Sequence, residues 1–200
     1  MMPLKHLFLL STLFFISSCS LLSPIQGQKN NAYLLSNTPT LSAKKHYKNV
    51  TLFITLPDTR PIYNTTQMAY TNRPYQINYF GENQWAETPS QMLLPLILQT
   101  LQSTHDFKAV VSAPYVGRYN YIISTQVLKL EQNLLTPRGR LEFSARVQII
   151  NATTNQVTAI KQFNITVPMH QRTPFGGVVA ANQATEAFLR EMTLFILRNV

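Results

Sequence analysis

The sequence predicts a single domain of the α/β (α+β) class, in which a mixed, mostly antiparallel β-sheet is covered by two long helices. Three observations carry this expectation. Residues 119–130 (YNYIISTQVLKL), 140–150 (RLEFSARVQII) and 157–167 are long runs rich in β-branched and aromatic side chains. In the second run Leu141, Phe143, Ala145, Val147 and Ile149 alternate with Glu142, Ser144, Arg146 and Gln148, the period-two pattern of a strand with one dry and one wet face. Two other stretches repeat at helical spacing: Met92, Leu93, Leu96, Ile97, Thr100 and Leu101, then Ala181, Ala184, Phe188, Met192, Phe195 and Ile196. A sheet with one apolar face needs stripes of this kind to cover it.

Taken from the start, residues 1–18 read as a secretory signal. Lys5 and His6 give a short basic opening, and Leu7 to Ile16 is an apolar segment interrupted only by Ser11 and Thr12, too short to remain as a spanning helix. Ile16-Ser17-Ser18-Cys19 then looks like a bacterial lipobox, in which the peptide bond between Ser18 and Cys19 is cut and the Cys19 thiol carries diacylglycerol. An ordinary signal ending near Ser18 would leave the only cysteine of the chain at the cleavage point by coincidence. Ser20 stands where an Asp would favour retention at the inner membrane, so the outer membrane is expected. Several acyl chains would anchor a globular body stably without spanning the bilayer.

Residues 19–31 carry Pro, Gly, Gln and Asn without periodicity and read as the lipidated N-terminus and its tether, leaving 32–200 as the folded domain. Ala32 to Ser36 is expected as a first strand, and Asn49 to Leu56 as a second that stops at Pro57-Asp58. Gln67 to Thr71 and Tyr75 to Phe80 flank Asn72-Arg73-Pro74 as a hairpin. Thr88-Pro89 supplies an N-cap and a proline at the first helical position, while Pro95 inside the helix should bend it. Phe107 to Ser112 returns to strand, Asn151 to Asn155 is a tight connection, and Thr173 to Gly177 is a loop before the last helix.

Chemistry-bearing motifs are sparse. The four histidines are scattered, and with Cys19 acylated no thiol remains, so no metal site or cofactor is expected. Glu82 and Glu87 are the closest carboxylate pair suited to acid–base work, but they sit among Gly81, Asn83 and Gln84, the composition of a wet loop. Phe175-Gly176-Gly177 offers at most a weak anion nest, so no enzyme is expected. The net charge of +9 invites a nucleic-acid reading, but the basic residues are dispersed and no nucleic-acid-reading motif accompanies them. Attraction to an anionic membrane or an acidic partner uses that charge better, beside the plain alternative of a solvated basic surface.

The segment MAYTNRPYQINYFGENQWAETPSQMLLPLILQTLQSTHDFKAVV places an aromatic at the end of one strand (Tyr70), Tyr75 and Tyr79 in its partner, then Trp85-Ala86, Pro89 and a helix ending before Phe107-x-x-Val110. With Tyr33-x-Leu35, Tyr121 and the C-terminal helix, this order resembles the ABC-type transport auxiliary lipoproteins, which include the paraquat-inducible protein C type. The resemblance implies a non-enzymatic periplasmic component that works with mammalian-cell-entry (MCE) proteins and an ABC permease, and it admits a homo-oligomer. Tyr70, Tyr79 and Trp85 are the expected aromatic partner surface, since Tyr and Trp dominate interface hot spots. For Trp85, closure of the core between hairpin and helix is the competing expectation. A lipid or amphiphile carrier with a cavity between sheet and helices is the alternative function.

Overall fold

The computed structural model describes residues 30–41 and 47–200. Nine strands and two helices follow in the order β1 (Asn31–Tyr33), β2 (Lys48–Ile54), β3 (Asp58–Thr59), β4 (Gln67–Arg73), β5 (Gln76–Trp85), α1 (Pro89–Ser103), β6 (Phe107–Ser112), β7 (Tyr121–Asn133), β8 (Arg140–Asn151), β9 (Gln156–Pro168) and α2 (Pro174–Asn199). A 3₁₀ turn, Pro61–Tyr63, separates β3 from β4.

The sheet is organised around β7. Along one edge β7 pairs in succession with β2, β3 and β4, all parallel. Along the other it pairs antiparallel with β8 over its whole length, and β8 pairs the same way with β9. Strand β6 lies outside β2, while β5 and then β1 lie outside β4. The sheet is therefore mixed, with its longest ladders antiparallel, as the alternating pattern of residues 140–150 anticipates.

The alternation in β8 puts Leu141, Phe143, Ala145, Val147 and Ile149 in the core. They meet the stripe of α2, where Phe188 lies 5.1 Å from Phe143 and 5.5 Å from Phe163 between ring centroids. Helix α2 packs over β8 and β9, and α1 packs on β6 and against α2. Each large side chain removed from water here contributes about 1.5–3 kcal/mol, so the stripe and the strand hold each other in register.

Strand β5 runs on to Trp85, so Glu82 lies in a strand instead of the expected loop, and three further boundaries differ from the sequence expectation near the helices and the hairpin. The first strand is Asn31–Tyr33, and the chain after it runs along α2 instead, with Asn182 Nδ2 donating to Leu34 O (3.1 Å) and Asn182 Oδ1 accepting from Ser36 N (2.7 Å). Hydrogen bonds from one helix side chain replace a sheet ladder for residues that alternate poorly. The β4–β5 turn falls on Pro74-Tyr75, where Tyr75 takes φ 64°. The stretch Thr173 to Gly177 is no loop, because α2 begins at Pro174 and the Thr173 side chain accepts the Gly176 N–H at 3.0 Å. This is the same Thr-Pro start that opens α1. Gly177 is needed for close approach, since a Cβ there would stand 1.9 Å from the Gln132 side chain.

Helix α1 continues through Pro95, whose position on the exposed side leaves the carbonyl it orphans at Gln91 to water. At its start Gln91 Oε1 accepts the Thr88 N–H at 3.1 Å.

Candidate docking surface

Strand β7 carries an irregularity that decides which polar groups share a face. Val127 pairs with Ala145 but Lys129 pairs with Ser144, so Leu128 is an inserted residue. Before the bulge Ile123, Thr125 and Val127 are buried beneath the helices; after it Leu130 and Gln132 take that side, and Gln132 Nε2 donates to Pro174 O at 3.2 Å. Lys129, Glu131 and Asn133 are thereby turned to the opposite face.

There they form the densest charged cluster among the described residues. Glu131 accepts from Tyr63 Oη at 2.6 Å and lies 3.5 Å from both Thr71 Oγ1 and Lys129 Nζ. Glu142 accepts from Lys129 Nζ (2.9 Å), Asn133 Nδ2 (2.9 Å) and Arg140 Nε (2.7 Å). Burial by itself would favour neutral Glu142, but hydrogen bonds from Lys129, Arg140 and Asn133 outweigh it and hold the carboxyl below its ordinary range. The same balance runs the other way at Lys129, where burial opposes the charge and the two glutamates override it, raising its pKa. Burial and the bond to Glu131 push the Tyr63 phenol well above its usual value.

All four carboxylate oxygens of this cluster are engaged, and the Tyr63 proton is locked onto one of them. Such an arrangement fastens the 3₁₀ turn to the sheet; it leaves no unengaged base beside a nucleophile. Among the described residues no three His, Cys, Asp or Glu side chains gather as metal ligands. Glu82 and Glu87 are both exposed. The glycine pair of α2 makes no nest, because the Gly176 N–H goes to Thr173 Oγ1 and the Gly177 N–H to Thr173 O.

The three aromatic residues singled out by sequence are dispersed. Tyr70 stands in register with Gln132 and so shares the helix-bearing face, half-buried, stacked on Phe80 at 4.4 Å. Tyr79 stands opposite Ala69, itself in register with Glu131, and so occupies the other face, where its hydroxyl donates to Ile62 O at 2.9 Å. Trp85 is only 3% exposed and belongs to the core with Met68 and Leu93. The structure thus brings Tyr70 to Phe80, a residue the sequence pattern did not single out, and brings neither Tyr79 nor Trp85 to that pair. Ser18 and Cys19 lie outside the described residues.

Large side chains pack the space between sheet and helices. Phe143, Phe163, Phe188, Leu93, Ile97 and Leu101 are all fully buried there. A groove lies beside the C-terminal half of α2, lined by Leu41, Tyr47, Lys48, Arg190, Leu194 and Arg198. No helix of the described residues is long and apolar enough to cross a membrane.

Residues 33–193 match the family profile of the ABC-type transport auxiliary lipoprotein component. The chain belongs to this family. The match begins at Tyr33, the last residue of β1, and runs to Thr193 in α2, so it takes in β2 to β9, all of α1 and most of α2. The family description is that of a lipoprotein accessory to transport, not of an enzyme class. Among solved structures, protein XCC0632 from Xanthomonas campestris superposes with a TM-score of 0.78 at 14% identity, covering 84% of this chain and 96% of its own. A second, uncharacterized protein gives 0.68 at 14% identity over 84% and 99% of the two chains. Protein CT253 from Chlamydia trachomatis gives 0.51 at 8% identity over 74% and 96%. At these identities the likeness is one of fold. No protein of curated function matches the sequence.

Proposed function

We propose that this auxiliary lipoprotein is a docking or assembly subunit of an ABC/MCE-type lipid transport system, held on the periplasmic face of the outer membrane through acylated Cys19. Family membership supports the link to ABC-type transport. The lipobox Ile16-Ser17-Ser18-Cys19 supports cleavage after residue 18 and anchorage by a tether over 19–31. What supports docking over carrying is the packed interior: large side chains occupy the sheet–helix interface where a carrier would hold an acyl chain.

Docking needs a surface that offers aromatic area without first refolding. The half-buried Tyr70–Phe80 stack on the β4–β5 hairpin supplies this, because its rings are fixed by each other and by the sheet. Tyr79 on the opposite face braces the 3₁₀ turn through Ile62 and supports the hairpin from behind. Trp85 supports it from the core.

The test is purification of the native complex after in-cell crosslinking. The reading expects an MCE protein or ABC permease component with the lipoprotein. Recovery of neither, under conditions that preserve other envelope complexes, would count against it. Stoichiometric phospholipid in mass spectrometry of the detergent-free protein would instead favour carriage.

A further inference from the structure

We infer that the end of the body formed by the β4–β5 hairpin tip, the β7–β8 loop and the β9–α2 loop is a docking surface for an anionic phospholipid leaflet. Hydrogen bonds tie these three segments into one surface. Leu134 N donates to Thr71 O (2.7 Å), Met169 N to Gly139 O (3.2 Å), and Arg172 Nη2 to Leu134 O (2.7 Å). Gly139 (φ 70°) makes the approach possible, since a Cβ there would sit 3.1 Å from Leu134 and 3.2 Å from Met169.

The charge of this end is one-sided. Residues 72–75, 134–139 and 169–173 carry Arg73, Arg138, His170 and Arg172 and no carboxylate. Arg73 and Arg138 are exposed, and Arg140 just behind them is paired with Glu142. The same end holds out apolar groups: Tyr75 is fully exposed at the hairpin tip, Leu135 is 47% exposed and Phe175, 6.0 Å from Tyr33 between ring centroids, is 56% exposed. Arginine beside exposed aromatic and aliphatic side chains is the composition that membrane interfaces select. The β6–β7 loop near the opposite end, residues 113–120, also exposes apolar groups, Tyr115 and Val116, but carries a single basic residue, Arg118.

Chain geometry selects the same end. Strand β1 runs parallel to β5, which leads away from the hairpin tip, so Asn31 is the end of β1 nearer that tip. The stretch from Cys19 to Asn30 reaches at most about 40 Å when fully extended. Helix α2, with 26 residues, is itself about 39 Å long. A tether that starts beside Asn83 and is led to the opposite end would spend most of that reach along the body.

This inference rests on the anchor reading, and the experiment separates the two. The mature full chain is prepared with a thiol introduced by Tyr75→Cys, Leu135→Cys or Val116→Cys; with Cys19 acylated, that thiol is the only free one. Each carries an environment-sensitive fluorophore and is mixed with vesicles containing a lipid-borne quencher, either phosphatidylcholine alone or with about a third phosphatidylglycerol. Flotation with neutral vesicles reports the anchor. The surface is reported by quenching at positions 75 and 135, stronger in the anionic vesicles, with position 116 remaining unquenched. Arg73→Gln and Arg138→Gln should each lower the preference for anionic vesicles about fivefold at low salt. Quenching at 116 equal to that at 75 and 135, or equal quenching in neutral vesicles, would overturn the assignment whether or not the chain floats.

Discussion

Glu142→Gln tests the charged cluster on the helix-free face of the sheet. Glu142 is 17% exposed and accepts three hydrogen bonds, from Lys129, Asn133 and Arg140. Bonds to a buried charged group contribute about 1.5–3 kcal/mol each, but Lys129 and Arg140 keep contact with solvent, and exposed ion pairs are worth only about 0.2–1 kcal/mol. Summed with that discount, the substitution should cost about 1–3 kcal/mol near pH 7. The sign of the pH dependence follows from the lowered pKa of Glu142. Its contribution is fully present above the carboxyl's unfolded value and is lost as pH falls through the folded one. Urea unfolding of both chains at pH 7 and pH 3, with unchanged m-values, reads the difference. The two chains should converge in acid. A difference below about 0.5 kcal/mol at pH 7, or one that persists undiminished at pH 3, would refute the assignment of these bonds as stabilising.

Other expectations follow from the core and the anchor. Phe188→Ala removes the ring wedged between Phe143 and Phe163 and should destabilise by about 3–5 kcal/mol in the same urea assay, with Phe175→Ala as an exposed control near zero. Trp85 is the only tryptophan and is buried, so its emission should be blue-shifted and shielded from acrylamide until the chain unfolds; free quenching in the native state would contradict its place in the core. Cys19→Ala should leave unprocessed precursor and release the body from the outer-membrane fraction, and unchanged fractionation would remove the lipoprotein anchor from the account.

How much of this was readable from the chain depends on the periodicity of each element. The strand 140–150 alternates without interruption, so its buried face, its partner helix and the fold class follow from the sequence. The Thr-Pro signature marks the start of α1 as expected, yet the same signature at Thr173-Pro174 was masked by two glycines, which mark close packing on Gln171 and Gln132 instead of a loop. The extension of β7 to Asn133 was hidden because Leu128 bulges and reverses the alternation, leaving Glu131 and Gln132 buried where a period-two pattern expects otherwise. Tyr63 and Glu131 are 68 residues apart and meet through the parallel pairing of β3 and β4 with β7. No local spacing announces such a contact. Likewise, Tyr70, Tyr79 and Trp85 look equivalent along the hairpin, and only register and the crossing of α1 distribute them to two faces and the core.

Docking through the hairpin is the central claim, and a photoreactive amino acid placed at Tyr70 in growing cells tests it most directly, with Val116 as the comparison site. The account predicts a crosslink from position 70 to a protein component of an ABC or MCE transport system. Adducts confined to phospholipid, or the same protein adducts from both positions, would contradict it.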